Sequence, residues 1–162
     1  MYLKKIFCWP PLLAGAGAAI TIIILGYITY ESILSDTNYG LWLFASFGST
    51  VVLVFGFPNN EFAQPKNIFF GHLLTSIVGV IFVNFIPLPI YIMIPIAVGI
   101  GVSLMILTSV THPPAGGNPI IVIIGSASFD YIVSPIIIGS ALVLVFGVIL
   151  NRFILKKQYP KK

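Results

Sequence analysis

Residues 90–110 read IYIMIPIAVGIGVSLMILTSV, with no charged side chain in the run. A helix of about 20 apolar residues, rising 1.5 Å per residue, crosses the hydrocarbon core of a bilayer. This stretch is therefore predicted as a membrane span. Three other segments read the same way: Pro11–Tyr30, Ile68–Ile86 and Tyr131–Leu155. Of the 162 residues, 58 % are hydrophobic and 7 % are charged. A soluble domain carries about 25 % charged residues, so this chain cannot build a polar coat. The composition excludes soluble, disordered, coiled-coil and nucleic-acid-binding classes, and it makes the lipid bilayer the first expected partner. An all-α, polytopic transmembrane helix bundle in a single domain, 1–162, is predicted.

The net charge of +4 is unevenly placed. Lys4 and Lys5 precede the first apolar stretch; Arg152, Lys156, Lys157, Lys161 and Lys162 follow the last. Flanking cations mark membrane topology rather than a phosphate-binding face. Pro10 and Pro11 interrupt the run that a cleaved signal peptide would need, so a retained first helix is expected. Cys8 is the single cysteine, which excludes an intrachain disulfide.

Two shorter apolar segments, Gly40–Phe57 and Gly116–Phe129, either cross the membrane or dip into it. Charge decides between the possibilities. With both crossing, all eight Lys and Arg residues fall on one side, while Glu31, Asp36 and Asp130 fall on the other. With neither crossing, Lys66 alone changes side. With one crossing, the cations split between both sides. The positive-inside rule favours six crossings with both termini cytoplasmic. A prokaryotic plasma membrane is the expected host.

The halves resemble each other. Pro11-x3-Gly15-x-Gly17 recurs as Pro95-x3-Gly99-x-Gly101, Gly48…Gly56 as Gly117…Gly125, and Gly71-x7-Gly79 as Gly139-x7-Gly147. Two repeats are expected, 11–86 and 90–155, each a long helix, a short broken helix and a long helix. With six crossings the second copy is inverted. In that architecture broken helices meet near the midplane and form a binding site.

The most informative local stretch is Thr111-His112-Pro113-Pro114-Ala115-Gly116-Gly117-Asn118-Pro119. Consecutive prolines hold His112 away from helix. Gly116 and Gly117 expose backbone N–H groups, Asn118 suits a helix N-cap, and Pro119 suits the first turn. A helix start at membrane depth can receive a small anion without a charged side chain. Gly48, Ser49 and Thr50 are expected at the matching start in the first half. Irregular backbone at this depth must be shielded or line a cavity. His72, one turn into a span, is a site candidate because an ionisable residue in a membrane helix is costly unless it serves one. With His112 it could exchange protons. Lys66 and Asn67 either anchor and cap the span that follows or draw an anion toward a vestibule. The histidines lack a convincing third partner for a metal, and no cofactor or nucleotide motif is present.

Thr-His-Pro-Pro-Ala-Gly-Gly-Asn-Pro at 111–119 resembles the defining motif of the HPP family of integral membrane proteins. Phe47-Gly48-Ser49-Thr50 with Phe55-Gly56, Ala63-Gln64-Pro65-Lys66-Asn67, and Gly71-His72-Leu73-Leu74 with Val78-Gly79-Val80 are similar to that family as well, so the likeness runs from about Phe44 to Arg152. Gly117 stands where many members have alanine. The family is usually described with four spans, and some members are associated with nitrite transport. The resemblance thus implies a transporter or channel for a small inorganic anion, nitrite first, with a proton as possible co-substrate. The expected substrate-binding residues are His112, Pro113, Pro114, Gly116, Gly117, Asn118, Gly48, Ser49, Thr50, His72, Lys66 and Asn67. No enzymatic activity is expected, since no acid in the spans could orient a histidine and no nucleophile motif is present. A homo-oligomer is expected from the small size. The alternative is a non-transporting membrane subunit of a larger assembly.

Overall fold

The computed structural model describes residues 9–29 and 39–161. Lys4, Lys5, Cys8, Tyr30, Glu31, Asp36 and Lys162 lie outside the described residues. Helices run through α1 (Trp9–Ile28), α2 (Tyr39–Val51), α3 (Pro65–Phe85), α4 (Ile90–Leu107), α5 (Asn118–Ile124) and α6 (Ile132–Ile154), with no strand among the described residues. A wider π-turn, Val52–Gly56, extends α2, and a 3-10 turn, Pro113–Gly117, leads into α5. Among the described residues, four helices are long and apolar enough to cross a membrane: Pro10–Ile28, Pro65–Phe85, Ile90–Leu107 and Ile132–Ile154. These bounds fall within three residues of the sequence expectation at every end.

Proline explains most of the punctuation. Pro65 opens α3 and Pro119 sits in the first turn of α5, where a missing N–H costs nothing. The stretch Ile86-Pro87-Leu88-Pro89 stops α3 and releases α4. Pro95 lies inside α4 without ending it, as membrane helices tolerate. Pro135 stands at a kink, where Ser134 leaves helical geometry (φ −128°, ψ 114°). Several buried threonines bond back onto the helix that carries them, as Thr21 does to the Gly17 carbonyl and Thr75 to the Gly71 carbonyl.

The element ends gather at two ends of the bundle. At one end, Pro10, Pro11, Gly56 and Lys157 line a common groove of about 380 Å³. There the Tyr159 hydroxyl donates to the Ala63 carbonyl at 2.9 Å, and Asn67 Nδ2 donates to the Thr111 carbonyl at 2.9 Å. Burial pushes the Tyr159 hydroxyl pKa up, so the donor stays protonated. At the other end, Asn84 Nδ2 lies 3.4 Å from the Ala127 carbonyl, and the Phe85 and Phe129 rings meet at 6.2 Å. The short segment 113–124 therefore runs from one end of the bundle toward the other, and segment 39–56 finishes at the first end. The core between them is built on Leu25, Phe47, Val54, Ile68, Val122 and Ile136. The outer surface is apolar, with Ile23, Tyr27, Phe85, Tyr91 and Leu107 all more than 60 % exposed. A surface of that kind faces lipid.

Candidate functional site

Seven residues into α3, about 10 Å along the helix, stands His72, fully buried. The helix before it is polar only at its mouth, so this imidazole needs partners from other elements. Four elements supply them. The extended residue His112 (φ −136°, ψ 100°) comes from the loop before the 3-10 turn. Thr50 and Ser46, four residues apart on one face of α2, come from the first short segment. Asn118 comes from the first turn of α5. All five side chains are buried.

Thr50 Oγ1 sits 2.9 Å from His72 Nε2 and 2.9 Å from His112 Nε2. The two rings lie 5.0 Å apart and tilted by 57°. Phe47 stacks on the His72 ring at 4.5 Å, with planes 16° apart. His112 Nδ1 is 2.7 Å from the Phe62 carbonyl. Asn118 Nδ2 reaches His72 Nδ1 at 3.0 Å, the His72 carbonyl at 3.2 Å and Thr75 Oγ1 at 3.2 Å. Ser46 Oγ donates to Asn118 Oδ1 at 2.8 Å and lies 3.1 Å from the Pro114 carbonyl.

Two carbonyls assign the protons for a neutral pair. A carbonyl only accepts, so His112 Nδ1 carries its hydrogen toward Phe62, and His112 Nε2 is an acceptor. The His72 carbonyl likewise faces the amide nitrogen of Asn118, so that amide donates to His72 Nδ1, and His72 Nε2 carries the hydrogen. Thr50 then accepts from His72 and donates to His112. The result is one directed chain: Asn118 to His72 to Thr50 to His112 to the Phe62 carbonyl. Such chains polarise along their length and strengthen in a low-dielectric interior.

Glycine sets the approach of the elements. A Cβ on Gly71 would lie 2.8 Å from His112 Cβ and 3.1 Å from the Val110 carbonyl. A Cβ on Gly79 would lie 2.8 Å from Val122 Cβ and 3.0 Å from Pro119 Cα. Only glycine at these two positions lets the His-Pro-Pro loop and α5 close onto α3.

Several expected site residues join this cluster, and others do not. His72, His112, Thr50 and Asn118 meet directly, and Pro114 contributes its carbonyl. Asn118 does not cap α5: Gly117 holds the N-cap position with no side-chain bond, and the Asn118 amide turns sideways to His72. Asn67 does not cap α3, whose N-cap position is Gln64; its amide instead ties down the Thr111 carbonyl next to His112. Ser49 is exposed and bonded to its own helix at the Ala45 carbonyl. Ser49 and Thr50 lie near the end of α2, not at its start, because the helix already begins at Tyr39. Gly48 is half-buried and lies off the face shared by Ser46 and Thr50. Lys66 is exposed at the rim of an apolar groove with Phe70 and Leu74. Pro113 is exposed, and Gly116 and Gly117 are half-buried in the 3-10 turn. Ser46 and Thr75 do not stand out in the sequence, and Phe47 stands out only within the Phe47-Gly48-Ser49-Thr50 stretch, not as a site residue. Their signal was spacing: Ser46 stands one turn before Thr50, and Thr75 nearly one turn after His72.

Comparison with known proteins agrees with this motif geometry. The profile of the family described as "HPP, transmembrane region" matches residues 7–160. A transmembrane protein of Dictyostelium discoideum is 32 % identical over 146 residues, covering 86 % of this chain and 50 % of its own length. A second Dictyostelium transmembrane protein is 30 % identical over 149 residues, covering 87 % of this chain and 47 % of its own length. The chain thus spans about half the length of these relatives. No solved structure matches it. The matched profile covers nearly the whole bundle, from the start of α1 to the tail that anchors Tyr159, and the chain belongs to the HPP family of integral membrane proteins.

Proposed function

We propose that this protein carries a small inorganic anion across the membrane together with a proton, with nitrite the first anion to test, and that it does no enzymatic chemistry. The observation that carries the proposal is the buried chain of Asn118, His72, Thr50, His112 and Phe62 inside an apolar bundle. Polar groups at this depth cost several kcal/mol unless satisfied, and they concentrate on transport pathways and proton relays. Neutral hydroxyls, an amide and imidazoles suit a small monovalent anion, which a fixed cation would hold too tightly to release.

The 3-10 turn forms the wall beside the anion in this reading. An added Cβ at Gly116 or Gly117 would meet nothing within 4 Å, so open space lies beside these two residues. The anion would enter beside Gly117, opposite Ser46, and hydrogen-bond to the groups that Asn118 and Thr50 release. A proton on His112 would offset its charge. By the positive-inside rule this end of the bundle, with Lys66, Arg152, Lys156, Lys157 and Lys161, faces the cytoplasm. The host we propose is a prokaryotic plasma membrane, which the two relatives from Dictyostelium discoideum do not support. A homo-oligomer suits so apolar an outer face.

One observation favours a second reading. Both relatives are about twice as long as the stretch they share with this chain. The bundle could then serve as a membrane subunit of a larger assembly.

The test is nitrite uptake into sealed liposomes holding the purified protein, with and without a pH gradient. Protein-free liposomes set the baseline for leakage of the acid form. Saturable uptake above that baseline, lost in His112→Ala, supports the carrier. Uptake at the baseline from folded, inserted protein favours the subunit reading.

A further inference from the structure

The cluster is wired so that its two histidines cannot behave alike. His72 uses both ring nitrogens: Nε2–H donates to Thr50, and Nδ1 accepts from Asn118. A proton added at His72 Nδ1 would face the Asn118 amide hydrogens. The amide cannot simply turn over, because its nitrogen also faces the His72 carbonyl at 3.2 Å, and an oxygen there would meet another oxygen. His112 differs. Its Nδ1–H is satisfied by the Phe62 carbonyl, and among the described residues its Nε2 is held by the Thr50 hydroxyl alone.

Thr50 has a second acceptor at hand. Its Oγ1 lies 3.1 Å from the Ser46 carbonyl, one turn back along α2. The Thr50 hydrogen can leave His112 and point there. Thr50 Oγ1 then accepts from both imidazoles with its two lone pairs. No heavy atom has to move, and every polar group keeps a partner in both states.

We infer that His112 Nε2 is a proton-binding site and that the Thr50 hydroxyl is the rotor that admits the proton, while His72 stays neutral as a fixed donor to Thr50. In the step itself, a solvent proton bonds to the Nε2 lone pair of His112, and the ring becomes an imidazolium. The Thr50 O–H bond stays intact and rotates from His112 to the Ser46 carbonyl. The groups facing the ring are Thr50 from α2, His72 from α3 and the Phe62 carbonyl before α3. The neighbouring ionisable side chains on these elements, Glu61 and Lys66, are exposed, and the Tyr159 hydroxyl is engaged at Ala63. The step deepens the transport reading by naming where its proton rides, yet it can be measured with no anion present.

The chain has two histidines, so imidazole nitrogen NMR resolves the whole question. The protein is labelled with ¹⁵N-histidine, freed of any affinity tag, placed in bilayers and titrated with acid; His112→Gln assigns the signals. The expected result at neutral pH is one Nδ1–H tautomer (His112) beside one Nε2–H tautomer (His72). On acidification His112 gains the second proton first. Thr50→Val lowers that midpoint by about one pH unit, because the hydrogen bond lost from the charged ring is stronger than the one lost from the neutral ring. Thr50→Ser, which keeps the rotor, shifts it by no more than a few tenths. Two rings in the same tautomer, His72 protonating first, or an unchanged midpoint in Thr50→Val would each overturn the inference. If Thr50→Val does not fold, the wild-type tautomers and the order of protonation still decide it. Absence of nitrite uptake would sink the carrier and leave this titration untouched.

Discussion

Helices α3 and α6 close the two halves of the chain, and they share one glycine frame. Gly71 and Gly79 on α3 match Gly139 and Gly147 on α6 in spacing. Each pair packs on the other half. Gly71 and Gly79 press on His112 and Val122; Gly139 and Gly147 would meet Phe47 Cζ at 2.9 Å and Val54 Cγ1 at 2.6 Å if they carried a Cβ. Near their far ends, the Asn84 and Asn151 amides each donate to the i−4 carbonyl of their own helix, and each reaches across to the other half, at Ala127 and Val54. The residue after the first glycine breaks the likeness. On α3 it is His72, bonded at both ring nitrogens; on α6 it is Ser140, whose buried hydroxyl has no hydrogen-bond partner among the described residues. Glycines thus set close contacts on both helices, and among the described residues the satisfied polar cluster lies beside the α3 pair. Scaffold and chemistry are separable here, which gives mutations a clear order of expected effect.

The largest effect belongs to the scaffold where glycine meets backbone. Gly79→Ala sets a methyl 3.0 Å from Pro119 Cα, which cannot turn aside as a side chain can. It should cost about 2–3 kcal/mol, read as the unfolding midpoint in detergent. Gly139→Ala meets side chains alone, the edge of the Phe47 ring at 2.9 Å and Leu25 Cδ1 at 3.1 Å, and should cost less. Equal losses would mean that the two frames are equally tight. Next comes Asn118→Ala, which strips a donor from His72 Nδ1 and an acceptor from Ser46. About 1–2 kcal/mol of stability should go with it, and proton-linked uptake should fail. Ser140→Ala removes a hydroxyl that bonds none of the described residues, so stability should hold or rise within about 0.5 kcal/mol and uptake should be unchanged; a loss of uptake would put function on α6 as well. The smallest effect is Ser49→Ala. This hydroxyl is exposed beside Thr50, and neither stability nor uptake should move beyond error.

The spans were legible because each is a long uncharged run, and a bilayer admits few alternatives to a helix there. The meeting of His72 and His112 was half legible. Both residues stand out by type, but α3 and the His-Pro-Pro loop are separated by the whole of α4, and no local pattern says that Gly71 lets them touch. Asn118 was misread as a cap because Asn before a proline usually serves that role; here Gly117 takes the position and frees the amide. Ser49 and Thr50 looked equivalent in sequence, yet one residue is about 100° of helix rotation, which sends one side chain outward and the other to the histidines. Ser46 drew no notice because a single serine in an apolar helix commonly bonds its own backbone.

The most direct measurement follows nitrite and protons together in liposomes holding the wild-type protein, with His112→Ala and Ser140→Ala beside it. The prediction is saturable nitrite entry above protein-free vesicles, a proton entering with each anion, the same in Ser140→Ala and abolished in His112→Ala. Nitrite entry that persists without proton movement, or that survives in His112→Ala, would contradict it.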